Sequence, residues 1–501
     1  MSNRPTGWIA MLLVAMMLLA AVPAFGEEAQ ETVIDPAYAA LREELLPAVP
    51  GTEEMMEDEK LVDEYLKEIK QQDAALYGDG VAFGVVNWDL DFDSPLYQFI
   101  MDMPKGAELH AHGNLAIAFD KYIDLLQDKV MICLAEGKYY GYLYAIGHEE
   151  IPEGSVLLSE ALNEGRITRE EMVKILAVTD ENTGHDAWVQ LEQGFKKCKG
   201  IRANPEIPEM VFEQVFLDNI ERGVLLLEVR GGMAADDETS VSYHVAMRNA
   251  YYKVKKDHPE FVLKLIGTTG KDIDRTPEEV CKRLSSAIRI SDTFLDESDP
   301  ENPKKLIIGI DLVNEEDASR PLKDYAAFLT SDEVTNSGLG LYLHCGESLR
   351  TDNQSVLDAY LVNTVRAGHG FNLYRYPELM KQYAEKKIAL EVCPISNYRL
   401  GYVSDLRLHP GLLYMRSGIP VTICSDDGLY LTPEPLVDDF YSVALCWDLN
   451  LAELKMLCRN SLVYAGLPED ETQELLKNWE AQWDKFIEEQ VTQLETLAPA
   501  A

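Results

Sequence analysis

Residues 103–112 read MPKGAELHAH, and here the chain changes character. Upstream, residues 27–103 are polar and helix-favouring, with acid–base spacings such as Glu57, Glu59 and Lys60 or Glu64 and Lys67, which predict an N-terminal helical extension. Downstream of Pro104, short apolar runs alternate with helical stretches. Eight of these runs read as buried strands, at 106–112, 223–230, 261–267, 306–312, 339–345, 365–368, 388–393 and 420–424. Most are continuously apolar rather than alternating, the pattern of parallel strands covered on both faces. Eight such strands with helices between them predict an α/β fold, a (β/α)8 TIM barrel spanning 104–501. The interval after the first run is far too long for one crossover helix, so a Tyr- and Glu-rich subdomain is expected to be inserted at about 120–203. From Leu451 the chain reads as closing helices, with Trp479, Trp483 and Phe486 spaced along one face.

Residues 1–26 carry Arg4, an apolar run from Trp8 to Val22, and small residues at Ala24 and Gly26 before an acidic pair, the layout of a secretory signal peptide. The apolar run is shorter than the roughly 20 residues needed to span a bilayer. Export to a periplasmic or secreted location is therefore expected, with no membrane span after cleavage. The formal net charge of −41 repels polyanions, which argues against nucleic acid as a partner and is also a solubility device. Eight cysteines could form bridges in an exported protein, but Cys345, Cys393 and Cys424 sit in apolar runs; only Cys133 with Cys198 merits consideration as a pair. The Asp89-Leu-Asp-Phe-Asp93 run has the start of a calcium loop but lacks its glycine and its closing glutamate.

Catalytic groups of such barrels come from the carboxyl ends of strands. His110 and His112 close the first strand and, two apart, point to one side. His344 and Glu347 follow the fifth strand, His369 the sixth, and Asp426 with Asp427 the eighth. Only nine histidines exist in the chain, and four fall at these ends. Three imidazoles and a carboxylate suit one Zn²⁺ per chain with a position left for water, while His369 and Glu347 are placed for proton transfer. His148-Glu149-Glu150 has the H-x-E half of another zinc deaminase signature without its P-C-x-x-C half. No GxxxxGK[ST], GxSxG or strand-linked GxGxxG is present, which disfavours P-loop enzymes, serine hydrolases and dinucleotide enzymes.

MPKGAELHAH, GVLLLEVR, HPEF, GIDLV, LHCGES, RAGHGF, EVCPISN, SDLRLHP, SDD and WDKFI occur in this order along nearly the whole mature length. Together they resemble the adenosine deaminase superfamily, and within it the adenosine deaminase-related growth factors. The resemblance implies an enzyme of purine metabolism, a metal-dependent hydrolase converting adenosine to inosine and ammonia. It implies zinc on His110, His112, His344 and Asp426, protonation of the purine N1 by Glu347, activation of the attacking hydroxide by His369, and a hydrogen bond from Asp427 to N7. It also implies a homodimer through the N-terminal helices and a receptor-binding role for the insert.

Two positions depart from the family. Asn314 stands where glycine is usual, with its backbone N–H toward the purine N3 and its side chain expected to crowd the ring. Asn114 stands where an aspartate often meets the ribose; deaminases of N6-modified adenine nucleotides carry asparagine there. The expected substrate is adenosine or a close 6-aminopurine nucleoside. The alternatives are an N6-modified or phosphorylated adenine compound, or an extracellular binding protein on a deaminase scaffold.

Overall fold

Each of the eight apolar runs is a strand in the computed structural model: β1 (Gly106–His112), β2 (Val224–Gly232), β3 (Val262–Gly270), β4 (Ile307–Val313), β5 (Gly340–Cys345), β6 (Arg366–His369), β7 (Ala389–Val392) and β8 (Val421–Ile423). They form one parallel sheet in chain order. The structure describes residues 48–77, 94–179, 181–182 and 184–497. The segment read as a signal peptide and the Asp89–Asp93 run lie outside the described residues.

The strands are apolar on both faces because one face fills the barrel and the other meets the helices. Leu226 and Leu227 of β2, neighbours pointing oppositely, are both fully buried. The sheet closes through a single bridge between Ala111 and Asp426. At this seam the Asp426 N–H donates to the His110 carbonyl at 2.8 Å, and the His112 N–H to the Asp426 carbonyl at 3.3 Å. A side chain reinforces it: the Glu108 carboxylate accepts from the Ser425 N–H at 3.0 Å and the His110 N–H at 2.8 Å. Burial pushes Glu108 up to about 7. Backbone closure thus sets the two histidines of β1 beside Asp426.

The region expected as an insert folds around a three-stranded antiparallel sheet (Val130–Cys133, Leu143–Ala145 and Ser155–Leu157) that the sequence reading did not include, followed by helices Leu158–Asn163, Arg169–Leu176 and His185–Lys197. The last helix ties it to the rim of the barrel. Trp188 Nε1 donates to the Tyr402 hydroxyl at 3.0 Å, and His185 Nδ1 lies 3.4 Å from Glu315. Cys133 and Cys198 do not pair, since all eight cysteines are free thiols; the Cys198 thiol instead contacts the hydroxyls of Tyr122 and Tyr430.

Residues Glu57–Tyr77 and Pro95–Asp102 are helical. Trp479, Trp483 and Phe486 of the closing helix Glu469–Leu497 are buried, on the face expected. The two indoles still reach acceptors: Trp479 donates to the Pro104 carbonyl and Trp483 to Glu59, each at 3.0 Å.

Candidate active site

At the carboxyl end of the barrel, three imidazole nitrogens and one carboxylate oxygen crowd together. His110 Nε2 lies 3.0 Å from His344 Nε2, and His112 Nε2 lies 3.3 Å from the first and 3.2 Å from the second. Asp426 Oδ1 is 3.5 Å from His110 Nε2 and 3.2 Å from His112 Nε2. The rings cannot satisfy one another. His110 Nδ1 sits 2.8 Å from Glu391 and His344 Nδ1 2.6 Å from Asp311, and each carboxylate needs the ring proton on Nδ1. The inward Nε2 atoms therefore present lone pairs to each other, which only a cation reconciles. Four donors about 2.0–2.1 Å from one ion in a tetrahedron stand roughly 3.3–3.4 Å apart, close to the separations among the three Nε2 atoms and from Asp426 Oδ1 to two of them, so these residue types fit zinc. Burial lowers His344 to about 3, keeping its ring in the neutral, ligating form.

Behind the donors lies a charged lattice. Glu391 accepts from Arg230 Nη2 at 2.5 Å and Arg366 Nε at 2.7 Å as well as from His110, while Arg230 Nε reaches Asp311 at 2.9 Å. Arg366 also pairs with Glu228. Burial alone would raise Glu391, but the two guanidiniums outweigh it and hold the carboxyl well below its usual range. The orientation of the ligating rings is thus fixed by residues that lie inside strands. The sequence reading missed them. Their signal was present: Glu391 in ALEVC, Asp311 in GIDLV and Arg230 in LLLEVR are charges in apolar runs, where no solvent compensates them.

Glu347, His369 and Asp427 border the donor cluster. His369 Nδ1 is 3.7 Å from Glu347 Oε1. Glu347 Oε1, His369 Nε2 and Asp427 Oδ1 are buried polar atoms without a partner among the described residues, the positions a polar ligand would satisfy. Burial, then the charge of Asp426, raises Glu347 well above the usual carboxylate range. The same two causes raise Asp427, and burial drives His369 far down. The site therefore combines protonated carboxyl groups with a neutral imidazole.

His369 is aimed by residues the sequence reading did not single out. Asn397 Nδ2 contacts its Nδ1 at 3.2 Å, and His409 Nε2 holds Asn397 Oδ1 at 3.1 Å. Ser396 Oγ donates to the second oxygen of Asp426 at 2.6 Å. Asp405 caps its own turn by accepting from the Arg407 N–H, and Asp317 accepts from the Ser348 hydroxyl.

Backbone conformation marks the same places. Asn314, His369 and Asp426, at the ends of β4, β6 and β8, have φ of +92°, +60° and +59°. Such angles cost a non-glycine residue free energy and cluster at functional sites. The Asn314 side-chain amide donates to the Asp272 carboxylate, which Arg275 holds in turn at 2.8 Å. Asn114 lies half-buried in the turn after β1, two residues beyond His112.

A sequence model of the family described as adenosine deaminase matches residues 289–481. Adenosine deaminase 2-A of Danio rerio is 29% identical over 467 residues, covering 86% of this chain and 89% of the relative. Adenosine deaminase 2 of Homo sapiens is 27% identical over 524 residues, covering 98% and 99%. In fold, the N6-methyl-AMP deaminase of Arabidopsis thaliana is similar with a TM-score of 0.55 at 16% identity, over 77% of this chain and 98% of that one. The barrel, its donor cluster and these near-full-length similarities make the chain similar to the adenosine deaminase family, with adenosine deaminase 2 proteins as its relatives, and make it a hydrolase of the deaminase type.

Proposed function

We propose that the protein is a zinc enzyme that hydrolyses the 6-amino group of adenosine, or of a close 6-aminopurine nucleoside, to give inosine and ammonia. The observation that carries this reading is the convergence of three Nε2 atoms 3.0–3.3 Å apart, with Asp426 Oδ1 3.2–3.5 Å from two of them, each outer-tethered imidazole aimed by a buried carboxylate. His110, His112, His344 and Asp426 hold the metal. When bound, zinc lowers the pKa of water from about 15.7 toward 7 and so supplies hydroxide at neutral pH.

The chain's own residues handle the protons. Glu347, protonated in its buried position, donates to the ring nitrogen N1 as the neighbouring carbon becomes tetrahedral. His369 orients the attacking oxygen and relays its proton to the departing ammonia. Asp427, also protonated, donates to N7, an acceptor that a carboxylate would repel. Asn314 offers its backbone N–H toward N3 while Asp272 engages its side chain, and Asn114 faces the sugar.

Asn114 and Asn314 support a second reading, deamination of an N6-modified or phosphorylated adenine compound. The net charge of −41 weighs against phosphorylated substrates. The test follows the absorbance of the adenosine band with zinc-loaded protein before and after chelation, and compares adenosine with AMP and N6-methyladenosine. Loss of absorbance that chelation abolishes supports adenosine; turnover of N6-methyladenosine or AMP alone selects the second reading. Zinc-bound protein inert toward all three overturns both and revives the binding-protein alternative.

Export is part of the proposal and rests on the signal-like residues 1–26; among the described residues no helix is long and apolar enough to cross a membrane. A homodimer through the N-terminal helix is supported by the exposure of Met56, Leu61 and Leu76 along it. A leaderless chain found in the culture fluid or periplasm checks the first, and sedimentation of Leu61→Glu against wild type checks the second.

A further inference from the structure

A second cavity, of about 400 Å³, opens at the opposite end of the barrel, where β6 and β7 begin. Its walls include Tyr360, Val365, Lys386, Lys387 and Tyr464, and Arg366 lines its floor. In a chain with 86 acidic residues against 45 basic ones, none of the lining residues is a carboxylate. Lys386 ends the helix Pro377–Lys386, and its ammonium rests 4.0 Å from the centre of the Tyr360 ring. Lys387 follows in a left-handed conformation with φ +56°. Neither lysine has a carboxylate partner among the described residues. A helix C-terminus favours cations, which accounts for lysines there. It does not account for the apolar and aromatic walls they face.

Two uncompensated ammonium groups beside two tyrosine rings match an anion attached to a planar body, and the volume suits a molecule of mononucleotide size. We propose that this cavity binds a small organic phosphate, and that its occupant is felt at the metal site through Arg366. That guanidinium donates to Glu391 Oε1 at 2.7 Å, and the other oxygen of the same carboxylate holds His110 Nδ1 at 2.8 Å. Arg366 also donates to the Tyr464 carbonyl at 2.8 Å, at the cavity wall. The guanidinium is fully buried, so an anion in the cavity acts on it through space rather than by contact, drawing on the charge that Glu391 and Glu228 share and so changing how firmly Glu391 orients His110. The whole relay is three side chains long, and each contact is a charge-assisted hydrogen bond.

The test uses the zinc-loaded full chain and UMP, which lacks a 6-aminopurine, with inorganic phosphate as the second probe. Equilibrium dialysis at low ionic strength should show saturable binding of one UMP per chain, more tightly than phosphate alone. The double substitution Lys386→Glu/Lys387→Glu should weaken it by at least about tenfold while leaving the melting temperature and basal turnover unchanged. Saturating UMP should change kcat or KM for adenosine in the wild type and not in the double variant. No saturable binding, or binding indifferent to the charge reversal, overturns the site. Binding that responds to the reversal but changes neither kinetic constant overturns the relay. The dialysis arm is independent of the deaminase reading, so its failure and the failure of that reading are separately visible.

Discussion

Replacing Glu391 by Gln tests whether the ligating imidazoles are aimed from behind. The native carboxylate accepts three hydrogen bonds, from His110 at 2.8 Å, Arg230 at 2.5 Å and Arg366 at 2.7 Å, and is fully buried. An amide offers one oxygen and one NH2 group, so at least one of the three donors must face another donor. If the oxygen stays on His110, the two guanidiniums lose their shared counter-charge but keep Asp311 and Glu228. If it takes the place of Oε1 on Arg366, both His110 and Arg230, which share Oε2, face the NH2 group. Loss of such an outer carboxylate lowers metal affinity about 10–100-fold, or about 1.4–2.7 kcal/mol. Breaking one partner out of a buried charge network costs about 3–5 kcal/mol; the retained partners of both arginines put the expected loss near 3. The assay is zinc affinity by competition with a chromogenic chelator, run well below the melting temperature, beside a thermal melt of the metal-free protein. Unchanged zinc affinity in a folded Glu391→Gln protein would refute the reasoning.

His344→Ala should abolish retention of zinc through gel filtration, whereas Glu347→Gln should keep stoichiometric zinc and lose turnover by at least about a hundredfold, the scale of a general acid; equal activity would remove Glu347 from the mechanism. In the pH profile of kcat/KM, Glu347 must be protonated to donate and its carboxyl is raised, so activity falls as pH rises through that raised value. His369 must be neutral and is lowered, so its own protonation adds an acid limb only well below the ordinary histidine range; a His369 ring-proton NMR signal titrating near 6.5 would contradict the buried, neutral imidazole. Asn314 sits at φ +92°, so Asn314→Gly should keep or raise the melting temperature and Asn314→Ala should cost about 1 kcal/mol; an equal fall of both melting temperatures would show that the Asp272 contact, lost in either variant, dominates. Gly106 has φ +80°, and a Cβ there would lie 2.7 Å from the Cys458 carbonyl, so Gly106→Ala should destabilise by roughly 2–3 kcal/mol in denaturant unfolding; an unchanged midpoint would mean that β1 can shift.

The barrel was legible because a parallel strand covered on both faces must be apolar along its whole length. That requirement left runs such as GVLLLEV and LGLYLHC standing out of a very acidic chain. The donor set was legible for a related reason: in a barrel the strand ends share one face, so residues as distant as His110 and Asp426 are neighbours once the strands are counted. The small sheet of the insert was not, since its strands are three or four residues long and carry no period. Nor was the lattice of Glu391, Arg230, Arg366, Asp311 and Glu228. A charge in an apolar run says only that it needs a partner; which one depends on register between strands, and register is set by packing around the closed barrel. The sequence by itself determined the strand count and singled out the candidate reacting groups. Tertiary structure alone decided which carboxylate holds which imidazole, that Asn397 and His409 aim His369, and that the strained ends of β4, β6 and β8 meet at one place, because each of these depends on distances across the barrel rather than along the chain.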